Sequence, residues 1–175
     1  NNPDELTAIE QFGAGDKYFG VAVMLVTMPG LPMFGHGQIE GFSEKYGMEY
    51  RRAYRDEPVN EELVYRHERE IFPLLRKRYL FSSVENFAFF DFETCDGHVN
   101  ENVFAYSNRA NGERALVLYN NAYQRAQGRV RMSTAINTGS ESQTHLVRRS
   151  FGEALELNGG PNVFYVCRDH IRGLE

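Results

Sequence analysis

The sequence predicts an α+β fold, with helices in the first half of the chain and antiparallel strands in the second. Up to about Ser83, apolar side chains recur mostly at helical spacing, and one short apolar stretch interrupts them. From Val84 onward, the chain consists mostly of short β-type runs separated by turn residues. We therefore predict two parts, residues 1–83 and residues 84–175.

The first part begins with two predicted helices and one strand. In NNPDELTAIEQFG, Asn2 or Asp4 is the candidate helix cap, and glycines end the helix. DKYFGVAVMLVTMPG is apolar on nearly every face, which predicts a buried helix that Asp16 caps and Pro29 ends. The LPMFG stretch that follows predicts a short buried strand.

The strongest helical pattern lies in VNEELVYRHEREIFPLLRKRYLF, where Asn60 is the candidate cap. We expect Pro73 to kink this helix, because proline has no backbone donor and its ring crowds the preceding turn. His67 lies near the apolar face and is predicted to be a buried, hydrogen-bonded histidine. The predicted apolar face contains Leu63, His67, Ile71, Leu74 and Leu75.

In the second part, four strands are predicted in VENFAFFDFET, NVFAYSNRA, ERALVLYNNA and GRVRMST. Asn111–Gly112 lies between the second and third strands and is a strong signal for a two-residue hairpin turn. LVRRSFGEALEL predicts a short helix ended by Asn158–Gly159–Gly160. NVFYVCRDHIRGLE predicts a strand, a turn and the start of a return strand.

Composition and charge argue against several kinds of partner. The chain has 175 residues and a net charge of -5, whereas nucleic-acid-binding proteins usually present a basic face. No apolar run is long enough to span a bilayer, so we expect no membrane partner. Cys95 and Cys167 lie far apart without metal-ligand spacing, which favours reduced thiols and a cytoplasmic location. We predict no metal and no cofactor.

A glycine-rich polar loop, with the sequence GHGQIEG, follows the predicted strand. Loops in this position often deliver polar side chains to a binding site. His36 and Gln38 are the candidate ligand contacts. The alternative is that both side chains form hydrogen bonds within the loop.

The order of these motifs resembles the C-terminal part of the catalytic region in the α-amylase family of glycoside hydrolases. The buried helix ending in Thr-Met-Pro-Gly, the Leu-Pro-Met-Phe-Gly strand, the helix ending in Leu-Leu-Arg-Lys-Arg and the β module carry the resemblance over about residues 1–135. Family members usually have Leu-Pro-Gly-x-Pro before the last barrel strand, and Pro29, Gly30 and Pro32 match. The resemblance implies a helix–strand–helix remnant of a (β/α)8 barrel, followed by an antiparallel β-sandwich-like domain with a short helix.

The resemblance also implies roles for individual residues. The third catalytic carboxylate of the family lies in an Asn-His-Asp motif, where this chain has Asn2-Pro3-Asp4. Asp4 would then stabilise the transition state, although a helix cap is the alternative role. Asn2, His36 and Gln38 would bind the substrate. Pro3 replaces a histidine that hydrogen-bonds a sugar hydroxyl, and this departure bears on specificity and activity because proline has no side-chain donor.

The implied function is that of a glycosidase or glucanotransferase fragment acting on α-glucans by a retaining mechanism in carbohydrate metabolism. Retaining glycosidases use two carboxyl groups as nucleophile and acid/base. The resemblance places both outside this chain, so we expect the chain to be inactive alone. Its expected partners are an α-glucan or oligosaccharide and the remainder of the catalytic barrel. The alternatives are a non-catalytic glycan-binding or protein-interaction module, and an α+β domain without a site.

Overall fold

The computed structural model of the chain describes residues 5–45, 52–140 and 142–174. The chain divides into two compact units, Asn1–Arg78 and Tyr79–Glu175. In the described residues, the first unit contains helices, and the second contains a four-stranded antiparallel sheet with a short helix. The predicted α+β class is therefore confirmed.

Helix α1 spans Ala8–Phe12, and Gly13 follows its last residue, which confirms that a glycine ends this helix. Its cap is Thr7, so the prediction of a cap at Asn2 or Asp4 is wrong. The reason is that the Glu10 carboxylate accepts hydrogen bonds from the Thr7 backbone N–H at 3.3 Å and from the Thr7 hydroxyl at 3.1 Å. A Thr residue followed three positions later by Glu fixes the start of a helix in this way.

Helix α2 spans Asp16–Thr27 and ends before Pro29, as predicted. It begins at Asp16 itself, so Gly15 occupies the cap position and the predicted Asp16 cap is wrong. Its fully buried residues lie on one face, and the other residues from Gly20 to Leu25 are partly buried. Its buried residues are Tyr18, Phe19, Ala22, Val26 and Thr27.

The predicted LPMFG strand does not form. Within the described residues of the first unit, 5–45 and 52–78, no segment is a strand. The side chains of Leu31 and Met33 are 93% and 58% exposed. A strand requires a hydrogen-bonded neighbour, and this part of the chain supplies none.

Arg78 holds the chain where it leaves helix α2. Its guanidinium donates hydrogen bonds to the carbonyl oxygen of Val26 at 2.6 Å, to that of Met28 at 3.2 and 3.3 Å, and to that of Gly30. The last carbonyl groups of a helix have no partner within the helix. One side chain therefore satisfies three backbone carbonyl groups in this region.

Residues 61–75 form the predicted amphipathic helix. It contains helix α3 (Glu61–Arg66), a π-helical segment (His67–Ile71) and helix α4 (Phe72–Leu75). The π-helical segment lies directly N-terminal to the turn that contains Pro73. The kink at Pro73 stays a prediction. A further short helix, α5, spans Arg78–Phe81.

The buried face of this helix contains the residues that the pattern predicted. Leu63, His67 and Ile71 are at most 1% exposed, and Leu74 and Leu75 pack at the edge of the same cluster. Across from them lie the buried residues of α1 and α2. The apolar cluster of the first unit therefore joins three helical segments.

The four predicted strands are confirmed as β1 (Ala88–Thr94), β2 (Val103–Ala110), β3 (Glu113–Asn120) and β4 (Gly128–Ser133). They pair antiparallel in the order β3-β2-β1-β4. The predicted hairpin turn is also confirmed. Asn111 and Gly112 have φ angles of 53° and 80°, and Ala110 pairs with Glu113. These angles match the two-residue turn that suits the twist of a hairpin.

One face of the sheet packs against helix α6, Phe151–Ala154. Ala88, Phe90 and Ala105 form an apolar cluster with Ala154. The opposite face has a row of aromatic rings whose centroids lie 5.7–6.4 Å apart. This row contains Phe87, Phe89, Phe104, Tyr106 and Tyr119.

The last part of the chain differs from the prediction. A two-stranded ladder that was not predicted joins β5 (Ile136–Asn137) to β6 (Leu146–Val147). Helix α6 ends at Leu155, before the predicted stop at Asn158–Gly159–Gly160, because Glu156 takes a positive φ of 50°. The predicted strands in NVFYVCRDHIRGLE do not form among the described residues 162–174, where no neighbouring segment pairs with them.

The cap of helix α3 gives a direct test of the first unit. The Asn60 Oδ1 atom accepts a hydrogen bond from the Leu63 backbone N–H at 3.1 Å. We expect Asn60→Ala to lower the free energy of unfolding by about 1 kcal/mol, because the Leu63 backbone N–H loses its acceptor. Asn60→Asp keeps the acceptor and serves as the control. Urea unfolding of the three proteins measures the effect, and equal stability of wild type and Asn60→Ala would contradict the assigned cap.

Candidate functional site

The predicted site residues fall in two parts of the chain. Asn2 and Asp4 lie outside the described residues, together with Pro3. His36 and Gln38 both lie in the turn formed by residues 36–41. The His36 side chain is exposed and its ring lies 6.1 Å from that of Phe42, whereas Gln38 is only 8% exposed. The structure therefore places Gln38, but not His36, in the interior of the first unit.

The glycines of this loop produce a compact turn. Gly37 has a φ of 64°, and a Cβ atom there would lie 2.6 Å from the Phe42 Cβ atom. Only glycine fits such a position without strain. The Gly37 carbonyl accepts hydrogen bonds from the backbone N–H groups of Gly41 at 2.8 Å and Phe42 at 2.9 Å. The glycine-rich sequence thus fixes the path of the backbone around Gln38.

Both the backbone and the side chain of Gln38 are hydrogen-bonded in this turn, and its backbone N–H donates to the Gly35 carbonyl oxygen at 3.2 Å. Its side-chain Oε1 atom accepts from the Gly35 backbone N–H at 2.9 Å, and its backbone carbonyl accepts from the Tyr18 hydroxyl at 2.8 Å. The Gln38 side chain also forms a hydrogen bond with Tyr18, which acts to lower the pKa of the phenol against the larger effect of burial. The Nε2 group of Gln38 carries two N–H donors, and Gln38 lines the pocket described next.

A pocket of about 140 Å³ opens between α1, α2 and this turn. Glu5, Gln11, Tyr18 and Gln38 contribute the polar part of its wall. Glu5 is the first described residue of the chain and directly follows Asp4 in the sequence. The rest of the lining is apolar and consists of Ala8, Phe12, Val21, Ala22 and Leu25.

His67 lies behind Tyr18 and is fully buried. Its Nε2 atom is 3.1 Å from the Tyr18 hydroxyl oxygen, and its Nδ1 atom is 2.9 Å from the Leu63 carbonyl oxygen. The rings of Phe19 and Phe72 lie 5.2 and 6.1 Å from the imidazole. The prediction of a buried, hydrogen-bonded histidine is confirmed. Its link to the site through Tyr18 could not be seen in the sequence.

Burial sets the protonation states of both groups. It lowers the pKa of His67 below its ordinary value, against the opposing effects of the Leu63 carbonyl and the carboxylates of Glu40 and Glu70. Burial also raises the pKa of Tyr18 to about 12. At neutral pH the imidazole and the phenol are therefore both uncharged, as the interior of the unit favours.

A buried carboxylate that the sequence analysis did not identify lies on the same helix. Glu70 is 2% exposed and accepts hydrogen bonds from Arg66 at 3.1 and 3.2 Å and from Arg69 at 2.5 Å. Burial alone would raise the pKa of Glu70, but these hydrogen bonds outweigh burial and lower it. The signal for this residue was its position seven residues after Leu63, which places it near the buried face.

Arg66 connects this carboxylate to helix α2. Its guanidinium also contacts the carboxylate of Asp16 at 3.2 Å and lies 3.9 Å above the ring of Phe19. The pair with Asp16 is exposed and contributes little, whereas the pair with Glu70 is largely buried and requires both partners. These contacts fix α3 and the π-helical segment against the helix that carries Tyr18.

Among the described residues, no group of three or more His, Cys, Asp or Glu side chains could hold a metal ion. In the same part of the chain, no helix has the length and apolar character needed to span a membrane.

Compared with protein-family models, curated proteins and solved structures, the chain matches none. The functional interpretation therefore depends on the residues of the turn and the pocket and on their contacts.

The pKa of His67 predicts how stability changes with pH. The folded pKa lies below the ordinary value of 6.5, so between these two values the unfolded chain binds more protons. The neutral, buried imidazole of His67 therefore contributes its full stabilisation above pH 6.5. This contribution is lost as the pH falls toward the pKa of His67 in the folded chain. We expect the free energy of unfolding, measured with urea between pH 5 and pH 8, to decrease in wild type as the pH falls. The decrease should be less steep in His67→Gln.

His98→Gln is the matched control, because His98 is exposed and its replacement should leave the pH dependence unchanged. Identical pH dependence in wild type and His67→Gln would contradict the assigned role of burial at His67.

Proposed function

We propose that the chain is the C-terminal part of an α-amylase-family glycoside hydrolase, either a glycosidase or a glucanotransferase, that acts on α-glucans. In this proposal, residues 1–83 are the end of a (β/α)8 catalytic barrel and residues 84–175 are the β-sandwich-like domain that follows it. The observation that carries the proposal is the pocket between α1, α2 and the turn, because Gln38 and Glu5, the residue that follows Asp4 in the sequence, both line it.

The proposed chemistry is the retaining mechanism. Two carboxyl groups about 5–5.5 Å apart act as nucleophile and acid/base, and a covalent glycosyl intermediate forms between the two displacement steps. Both groups would lie outside this chain. Asp4 would hold substrate hydroxyls and stabilise the transition state, and Asn2, His36 and Gln38 would bind the sugar. Gln38 supports this role through its Nε2 donors, which can reach a hydroxyl oxygen in the pocket.

The size of the pocket also supports an incomplete site. Typical small-molecule sites enclose about 300–1,000 Å³, and this pocket encloses about 140 Å³. It can therefore receive only part of an oligosaccharide. Further walls from the remainder of the barrel would complete the site, which is the partner that the proposal requires.

The segment that follows α2 supports a barrel origin as well. Its side chains alternate between exposed and partly buried positions, with Leu31 and Met33 exposed and Pro32 and Phe34 partly buried. Such alternation is typical of a strand with one packed face. In the proposal this segment is the last barrel strand, and its hydrogen-bonding neighbours lie in the parts of the barrel outside this chain.

The proposed partners are an α-glucan or oligosaccharide and the rest of the barrel, without nucleic acid or membrane. Cys95 and Cys167 are both free and exposed. Free thiols are typical of a reducing compartment, which supports a cytoplasmic location within this proposal.

A second candidate function is a non-catalytic glycan-binding or protein-interaction module, which a surface loop of the second unit favours. The ring of Tyr123 is 95% exposed. Asn120 organises the loop around it, since its Nδ2 group donates to the Gln124 carbonyl at 2.6 Å and its Oδ1 atom accepts from the Ala122 N–H at 3.2 Å. A tyrosine ring presented in this way can stack on a sugar face.

The decisive test of the first proposal uses the complete polypeptide encoded by the gene that contains this sequence. We expect it to cleave or transfer maltooligosaccharides, and we expect Asp4→Asn to reduce kcat by about 10²–10³-fold, because a group that stabilises developing charge is lost. KM should change much less. Steady-state kinetics with a reducing-sugar assay measures both parameters.

Asp56→Asn is the control for this experiment, because Asp56 is an exposed loop residue. Full activity of Asp4→Asn would contradict the role of Asp4. An inactive complete polypeptide, with sugar binding by the 175-residue chain that Tyr123→Ala abolishes, would favour the second function instead.

A further inference from the structure

The Tyr18 hydroxyl has one proton and two neighbouring acceptors. Its oxygen lies 2.8 Å from the Gln38 carbonyl oxygen and 3.1 Å from the His67 Nε2 atom. A carbonyl oxygen can only accept a hydrogen bond, so the contact with Gln38 requires the phenolic proton. The character of the second contact depends on which nitrogen of His67 carries a proton.

The Leu63 carbonyl decides the protonation of the neutral imidazole. It lies 2.9 Å from the His67 Nδ1 atom and, as a carbonyl, it can only accept. The proton of a neutral ring must therefore be on Nδ1, and this leaves Nε2 as an acceptor. In this state, His67 Nε2 and the Gln38 carbonyl compete for the single Tyr18 proton.

Protonation of His67 removes this competition. A proton on Nε2 turns that atom into a donor toward the Tyr18 oxygen, which accepts through a lone pair. The phenolic proton then belongs to the Gln38 carbonyl alone. A series of hydrogen bonds then runs from the Leu63 carbonyl through His67 and Tyr18 to the Gln38 carbonyl. Only in this state does each contact of the series pair one donor with one acceptor.

We propose that His67 is a positioning residue whose protonation commits the Tyr18 hydroxyl to the Gln38 carbonyl, and so fixes the turn that carries Gln38 into the pocket. The Gly35 N–H holds the side-chain oxygen of Gln38, and Tyr18 holds its backbone carbonyl. Protonation of His67 therefore strengthens one of the hydrogen bonds that hold Gln38. The consequence for sugar binding rests on the proposed function, whereas the proton-dependent hydrogen bond does not.

The charged groups around His67 come from four elements. Glu40 of the turn and Glu70 of the π-helical segment favour the imidazolium, and Arg66 of α3 opposes it. From α2, Asp16 acts on this cluster through its ion pair with Arg66. Burial is the largest effect and disfavours the charged ring, so protonation occurs below pH 6.5. The turn is thus held more tightly in mildly acidic solution.

Nuclear magnetic resonance of the isotope-labelled 175-residue chain between pH 4.5 and pH 8 tests the proposal. We expect the ring nitrogen shifts of neutral His67 to report a proton on Nδ1. As the pH falls, the carbonyl carbon of Gln38 should shift downfield with the same midpoint as the His67 ring. In Tyr18→Phe the Gln38 shift should disappear while His67 still titrates. Tyr65→Phe is the matched control, because Tyr65 is 59% exposed and its loss should leave both titrations unchanged.

Either of two results would overturn the proposal. A neutral His67 with its proton on Nε2 would already donate to Tyr18 and would leave no competition. A Gln38 carbonyl shift that does not follow the His67 titration would show that the hydroxyl does not change partners. Both results come from wild type, so they decide the question even where Tyr18→Phe does not fold. No sugar is used, so the outcome is separate from the test of α-glucan chemistry.

Discussion

The chain between helix α2 and Phe42 leaves a helix without entering a sheet, and its backbone groups must still find hydrogen-bond partners. Backbone hydrogen bonds close the turn at Gly37, and side chains supply several of the other partners. Arg78 donates to the carbonyl groups at the end of α2, Tyr18 donates to the Gln38 carbonyl, and the Gln38 side chain accepts from the Gly35 N–H. The path of this segment, and with it the candidate site, therefore depends on side chains of neighbouring helices rather than on a ladder of backbone hydrogen bonds.

This way of holding a backbone has a chemical consequence. A β ladder consists of amide donors and carbonyl acceptors that do not titrate near neutral pH, so its pattern is fixed. A backbone carbonyl held by a phenol that also contacts an imidazole can change its hydrogen bonding with one proton. The largely buried Arg66–Glu70 pair links two residues four positions apart on the helix that carries His67, and burial of such a pair requires both partners.

Sequence patterns predicted the elements whose causes are local. The Asn60 cap, the face with Leu63 and His67, and the Asn111–Gly112 turn each depend on a few neighbouring residues, and all three are confirmed. The candidate site was predictable only in part. The glycine-rich turn and Gln38 were identified, but the contacts of Tyr18 with Gln38 and His67 join residues 20 and 49 positions apart. Spacing along the chain carries no information about such pairs, so the hydrogen-bond network could not be predicted.

The two predicted strands that do not form have one cause and two different outcomes. Both LPMFG and NVFYV have the composition of strands, but pairing requires a neighbour, which composition does not specify. Residues 163–171 are exposed throughout, whereas residues 31–34 alternate between exposed and partly buried, and Phe34 packs against the apolar cluster of the first unit. Residues 163–171 thus have no packed face. Residues 31–34 keep one packed face and expose Leu31 and Met33 on the other, which is the alternation of a strand even though no neighbour pairs with it among the described residues.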